Sequence, residues 1–126
     1  MKEIINTTFA PAPIGPYSQA VKAGNTLYVS GQIAIVPATN ELFIGTIEEE
    51  TQLVMKHLEN ILETAGYQFS DVVKTSIFLS DMSLFPVVNE IYGQSFKVDP
   101  PARETVAVKG LPKNVNVEIS LIAYKG

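Results

Sequence analysis

Helical and strand periodicities alternate along this chain in a fixed order: strand, hairpin, helix, strand, helix and two closing strands. That order limits the folds open to it. The first helix is the clearest element. Thr46 can cap it while Glu49 reaches back from three residues on, as in a capping box. Ile47, Val54, Leu58, Ile61, Leu62 and Ala65 then recur at helical spacing, and Gly66 supplies a C-terminal cap. From Val72 to Leu79 the period becomes two, with Val73, Thr75, Ile77 and Leu79 alternating against Val72, Lys74, Ser76 and Phe78. A second helix follows Ser83. Pro86 falls in its tolerated first turn, and Leu84 or Phe85, Val88, Ile91, Tyr92 and Phe96 form its buried stripe. Both helices bridge strands, so the right-handed crossover rule puts them on the same face of one mixed sheet. The expected class is α+β, two helices layered on a sheet.

The rest of the chain fits around that frame. Residues 2–6 read as a short strand, and residues 10–16 as a rigid loop with three prolines and Gly15. Gln19 to Ala23 and Thr26 to Gln32 flank Gly24-Asn25, a glycine-first link that suits a type II′ hairpin. Residues 37–45 read as a loop with Asn40 as its turn residue. Residues 102–109 and 115–124 are expected to close the chain as a hairpin through 110–114. The length of 126 residues fits one domain, taken as 1–126.

Composition narrows the chemistry. Hydrophobic residues make up 46% and charged residues 17%, a compact ordered chain with fewer surface charges than usual. Further copies of the chain are expected to cover part of that surface. The net charge of −4 and the lack of a basic stripe count against nucleic acid. Without cysteine there is no disulfide, thiolate chemistry or cysteine-bound metal, and one histidine cannot build a multi-histidine site, so no metal is expected. That histidine, His57, sits on the flank of the first helical stripe and reads as a helix-surface or half-buried residue. Polar Asn6-Thr7-Thr8 follows Met1 to Ile5 too soon for a signal peptide, and no apolar run is long enough to span a bilayer. The cytoplasm is the expected location.

Two charged residues stand apart. Arg103 is the single arginine beside eight lysines. Its planar fork can hold a carboxylate through two parallel hydrogen bonds, which a lysine cannot do. Glu118 interrupts the apolar alternation of the last strand. Val115, Val117, Ile119 and Leu121 share one face of it, and Asn116, Glu118, Ser120, Ile122 and Tyr124 the other. If Val106 and Val108 also face the core, Arg103, Thr105 and Ala107 project with Glu118 from the side away from the helices. That side is too apolar for a freely solvated sheet and is expected to pack on neighbouring subunits. Arg103 and Glu118 then either pair with each other or hold a ligand in a cleft near that contact.

The motifs Ile14-Gly15-Pro16-Tyr17-Ser18-Gln19, Ser30-Gly31-Gln32-Ile33, Asp71-Val72-Val73-Lys74, Val88-Asn89-Glu90-Ile91-Tyr92, Pro101-Ala102-Arg103, Leu111-Pro112-Lys113 and Val117-Glu118-Ile119 occur in this order along the chain. Together the chain resembles the RidA family, the YjgF-like reactive intermediate deaminases. The resemblance implies a chorismate-mutase-like fold, a homotrimer with sites between subunits, and no cofactor. It implies hydrolytic deamination of enamines and imines such as 2-aminoacrylate and 2-iminobutanoate, released by pyridoxal-phosphate-dependent dehydratases, to 2-oxo acids and ammonia. It carries over Glu118, Arg103 and Tyr17 as catalytic residues, and Ser30, Gly31 and Asn89 beside Arg103 as substrate-binding residues.

The chemistry suits these residues. Arg103 can clamp the substrate carboxylate, and Glu118 can orient water or move a proton. Tyr17, Ser30 and the Gly31 backbone can add hydrogen bonds. Each of the last set also has a plainer reading: Tyr17 packing on its proline-rich loop, Ser30-Gly31 as a strand bulge, Asn89 as a solvated helix residue. The chain departs from the family after the arginine, where many relatives have a small residue and then cysteine and this chain has Glu104 and Thr105. The Thr105 carbonyl can still meet a ligand, whereas Glu104 could compete for the guanidinium. Two other functions stay open, a non-catalytic 2-oxo acid binding module and an RNA-directed translation inhibitor or ribonuclease.

Overall fold

In the computed structural model, which describes residues 1–126, the chain runs β1 (Lys2–Ile5), β2 (Ala20–Ala23), β3 (Thr26–Gln32), β4 (Ile35–Val36), β5 (Glu41–Leu42), α1 (Ile47–Thr64), β6 (Val72–Leu79), α2 (Phe85–Gly93), β7 (Ala102–Ala107) and β8 (Val117–Tyr124). α1 forms as its end signals require. The Thr46 hydroxyl accepts from the Glu49 N–H at 3.2 Å while Glu49 accepts from the Thr46 N–H at 2.9 Å. Removing such a cap typically costs about 1 kcal/mol. At the other end Gly66 takes φ of 84°, and the Tyr67 and Gly66 amides donate to Leu62 and Glu63, closing the helix with a Schellman motif.

Six strands form one sheet in the order β1-β2-β3-β8-β6-β7, and β4 with β5 makes a separate small hairpin whose second strand falls in the 37–45 segment read as loop. Asn40 is the turn residue there, at φ of 59°. In the β2–β3 hairpin only Gly24 takes a positive φ, as a type II′ turn requires. Both helices pack against each other, and α1 lies on β3 and β8. The core between the layers holds Leu27, Ile77, Leu79, Val117 and Ile119 opposite Val54, Leu58, Ile61, Leu62 and Val88, all at or below 1% exposure. Each such aliphatic contributes about 1.5–3 kcal/mol relative to an exposed position. No helix is long and apolar enough to cross a membrane.

Two expectations fail together. β7 and β8 are not a hairpin: β6 lies between them, antiparallel to β8 and parallel to β7. The register then reverses the parity of β7. Arg103, Thr105 and Ala107 sit beside Thr75, Ile77 and Leu79 on the helix side, while Glu104 and Val106 sit beside Ser76 and Phe78 on the open side. Val106 is 42% exposed. β7 is an edge strand whose helix side is filled by α2 aromatics, so its valines do not mark the core. Arg103 and Glu118 therefore leave opposite faces of the sheet.

Candidate active site

Glu118 occupies the open face where β3 is irregular. The β3–β8 register slips between Val29 and Gln32, which makes Ser30-Gly31 a bulge in the ladder. The Glu118 side chain lies directly over Gly31. A Cβ built there would stand 2.8 Å from the Glu118 Cδ, so any larger residue displaces the carboxylate. This close approach explains the glycine. Burial pushes the Glu118 carboxyl up from its ordinary value, with no opposing charge to lower it.

Around Glu118 lies a pocket of about 390 Å³, walled by Pro11, Ile14, Tyr17, Ile33, Ile35 and Pro112, with Gln19, Ser30, Gly31 and Gln32 in its lining. Tyr17 is half exposed, and its hydroxyl accepts from the Ile14 N–H at 3.4 Å. The Ser30 hydroxyl donates to the Ser18 carbonyl at 2.6 Å, so its oxygen faces a ligand as an acceptor. No lysine or arginine lines the pocket.

Arg103 builds a second hollow on the other side of the sheet. Its guanidinium stacks over the Tyr92 and Phe85 rings, 5.1 and 5.5 Å from their centroids, and its Nη1 donates to the Asn89 Oδ1 at 2.7 Å. The Tyr92 ring is held in turn by a 2.7 Å hydrogen bond between its hydroxyl and that of buried Thr75. Burial raises the Tyr92 hydroxyl pKa, keeping it neutral beneath the cation. This hollow, about 420 Å³, is lined by Asn89, Tyr92, Gly93, Phe96, Pro100, Pro101 and Arg103, with no carboxylate among them. Thr105 follows on the same side, its hydroxyl buried and without a partner.

Thus Tyr17, Ser30, Gly31 and Glu118 meet in one hollow and Arg103 and Asn89 in another. Glu104 does not compete for Arg103. It points to the open face, where it pairs with Lys74 at 2.8 Å and accepts from the Ser76 hydroxyl. These contacts, the Lys74 hydrogen bond first, hold its carboxyl below the ordinary value. His57 is not a helix-surface residue: at 1% exposure it is fully buried, with Nε2 at 2.8 Å from the Ile35 carbonyl and Nδ1 unpartnered. Sequence reasoning missed Gln19 and Tyr92. The signal for Gln19 was a polar residue opening the stretch Gln19 to Ala23, directly before apolar Ala20 and Val21. No three His, Asp or Glu side chains converge to hold a metal ion.

The fold and its hollows define an α+β protein of the chorismate-mutase-like kind, with a carboxylate and an arginine as its distinctive site groups. A family model described as endoribonuclease L-PSP matches residues 7–125, and the chain belongs to that family, the YjgF/RidA family. A RutC family protein of Pyrococcus horikoshii is 50% identical over 125 residues, covering 99% of both chains. The 2-iminobutanoate/2-iminopropanoate deaminase of Dermatophagoides farinae is 47% identical, covering 96% of this chain and 94% of its own. A crystal structure from Thermotoga maritima superposes with a TM-score of 0.97 at 51% identity, covering 100% of this chain and 99% of that one.

Proposed function

We propose that this protein hydrolyses 2-imino acids to 2-oxo acids and ammonia, as a homotrimer in which the Glu118 pocket of one subunit meets Arg103 and Asn89 of the next. One observation carries the reading: each hollow lacks the charge that the other supplies. A 2-imino acid needs a cation for its carboxylate and an acid–base group at its imine carbon. The Glu118 pocket has no cation and the Arg103 hollow has no carboxylate. The open sheet face, with Ile4, Tyr28, Val106 and Tyr124 each 42–53% exposed, gives a neighbouring copy an apolar surface to cover.

In the reaction Arg103 fixes the carboxylate plane by its fork, held at the angle that Tyr92, Phe85 and Asn89 dictate. Glu118 takes a proton from water as the water oxygen bonds to the imine carbon. It passes that proton to the nitrogen to give a carbinolamine, then takes the hydroxyl proton and delivers it to the nitrogen as the C=O forms, the C–N bond breaks and ammonia leaves a 2-oxo acid. A carboxyl raised by burial is better matched to both transfers than an ordinary one. Tyr17 and the Ser30 oxygen orient the amino group, and the Thr105 carbonyl closes the far side. 2-Aminoacrylate reaches the same path after protonation of its methylene carbon gives the imine. No cofactor or nucleophile is needed for so reactive a substrate. The deaminase name of the mite relative supports this reading.

The test is complementation. Arg103→Ala and Glu118→Gln homotrimers should each lose about a hundredfold or more of imine hydrolysis, the cost of a missing acid–base or charge group. Unfolded together in equal amounts and refolded, they should recover about a quarter of wild-type activity, because that share of subunit contacts then holds both intact residues. No recovery would place both residues in one subunit's site. Wild-type binding of 2-oxobutanoate without turnover of enzymatically generated 2-aminoacrylate would make the protein a carboxylate-binding module.

A further inference from the structure

The proline-rich stretch that walls the Glu118 pocket has few means of holding its shape. Pro11, Pro13 and Pro16 have no N–H to donate. Phe9, Ile14 and Tyr17 are 70%, 56% and 50% exposed, so side-chain burial fixes little of it beyond Ala10. Two of its hydrogen bonds are internal, from the Tyr17 N–H to the Gly15 carbonyl and from the Ile14 N–H to the Tyr17 hydroxyl. From α1 comes one tether, the Asn60 amide on the Phe9 carbonyl at 3.0 Å.

Gln19 supplies the rest. It is 2% exposed, and its amide is fully engaged. Oε1 accepts from the Thr7 N–H at 2.7 Å, while Nε2 donates to the carbonyls of Thr7 at 3.0 Å and Pro11 at 2.9 Å and lies 3.3 Å from that of Ala10. The Gln19 carbonyl meanwhile accepts from the Ser30 N–H at 2.9 Å, at the start of the bulge beneath Glu118. One residue thus joins the loop wall to the strand that makes room for the carboxylate. Only a carboxamide offers an acceptor and two donors at that place. A carboxylate would set a negative charge against three carbonyl oxygens, and an apolar side chain would leave them partly buried and unpaired.

We propose that Gln19 is a positioning residue for this pocket: its amide sets the Pro11–Tyr17 wall against Glu118, and substrate affinity depends on it although it performs no chemistry. The claim rests on the functional reading above only for its kinetic part.

The experiment compares the full-length wild type with Gln19→Met and Gln19→Glu. Amide hydrogen exchange in residues 8–18 should accelerate in both variants while α1 and β8 stay protected. KM for the imine should rise about tenfold or more while kcat changes less than about threefold, since a displaced wall weakens binding before it disturbs the acid–base group. Tyr17→Phe should lower activity in the wild type and add little on a Gln19→Met background, the non-additivity expected of one unit. A loop that keeps its protection with an unchanged KM in either variant overturns the proposal. So does loss of cooperative unfolding in both, which would make Gln19 a residue of the whole fold. If wild type hydrolyses no imine, the functional reading fails, and the exchange pattern together with 2-oxobutanoate affinity still decides the role of Gln19.

Discussion

The two hollows are built by opposite means. Glu118 sits half-buried on the open face, with apolar walls and a glycine beneath it, and its carboxyl is raised because burial acts unopposed. Arg103 sits exposed on the helix side, where it is oriented by two aromatic faces and one amide. Desolvation tunes the first group and stacking aims the second. The lesson is one of division: the carboxyl lies where water is scarce, and the guanidinium, which keeps its charge, stays at the rim.

Substitutions that break one side should leave the other intact. Gly31→Ala should be the most damaging, because the new Cβ enters the space of the Glu118 carboxylate. We expect a loss of about a hundredfold or more in kcat/KM, the scale of a displaced acid–base group, with cooperative unfolding retained. Normal turnover would show that Glu118 works from another rotamer.

Arg103→Lys keeps the charge and loses the fork. It should cost about 2–4 kcal/mol of transition-state binding, seen in kcat/KM, with the circular dichroism spectrum unchanged. Unaltered kinetics would reduce Arg103 to a structural cation.

A third prediction concerns pH and leaves both hollows alone. Burial pushes the His57 pKa from 6.5 down to about 4 in the folded protein, the Ile35 carbonyl opposing this only in part. The unfolded chain therefore takes up a proton that the folded one refuses. Stability is undiminished above pH 6.5 and falls as the pH drops toward 4, by about 3 kcal/mol in all. Denaturant melts of His57→Gln should show a flatter stability–pH curve than wild type across that window. Parallel curves would mean that His57 takes up its proton without unfolding.

Glu104→Gln should have the smallest effect. The Lys74–Glu104 pair is solvent-exposed, so stability should change by no more than about 1 kcal/mol and activity by less than about twofold. A large gain in activity would show that Glu104 does reach Arg103.

How much was legible beforehand differs by element. α1 could be read to within a residue at each end because Thr46, Glu49 and Gly66 act on backbone groups beside them in the chain. The core face of β8 was equally clear, since Val117, Ile119 and Leu121 lie in a central strand where burial follows alternation. β7 misled for the same reason in reverse. At the sheet edge its alternation no longer tracks burial, and Val106 lies open while Arg103 points at α2. His57 looked peripheral because the β4–β5 hairpin that covers it was not visible as strand.

The sequence by itself determined most of the helix and strand segments and singled out Arg103 and Glu118 as unusual. Both follow from local causes: capping, side-chain period, and the presence of one guanidinium where lysine would otherwise serve. Only the tertiary structure decided where those residues meet. Insertion of β8 between β3 and β6 is a choice among long-range pairings, and it sends Arg103 and Glu118 to opposite faces. The 2.8 Å approach of Glu118 to the Cβ position of Gly31 and the four polar contacts of Gln19 depend on segments far apart in the chain or separated by a loop. Such contacts have no period, so no pattern along the chain announces them.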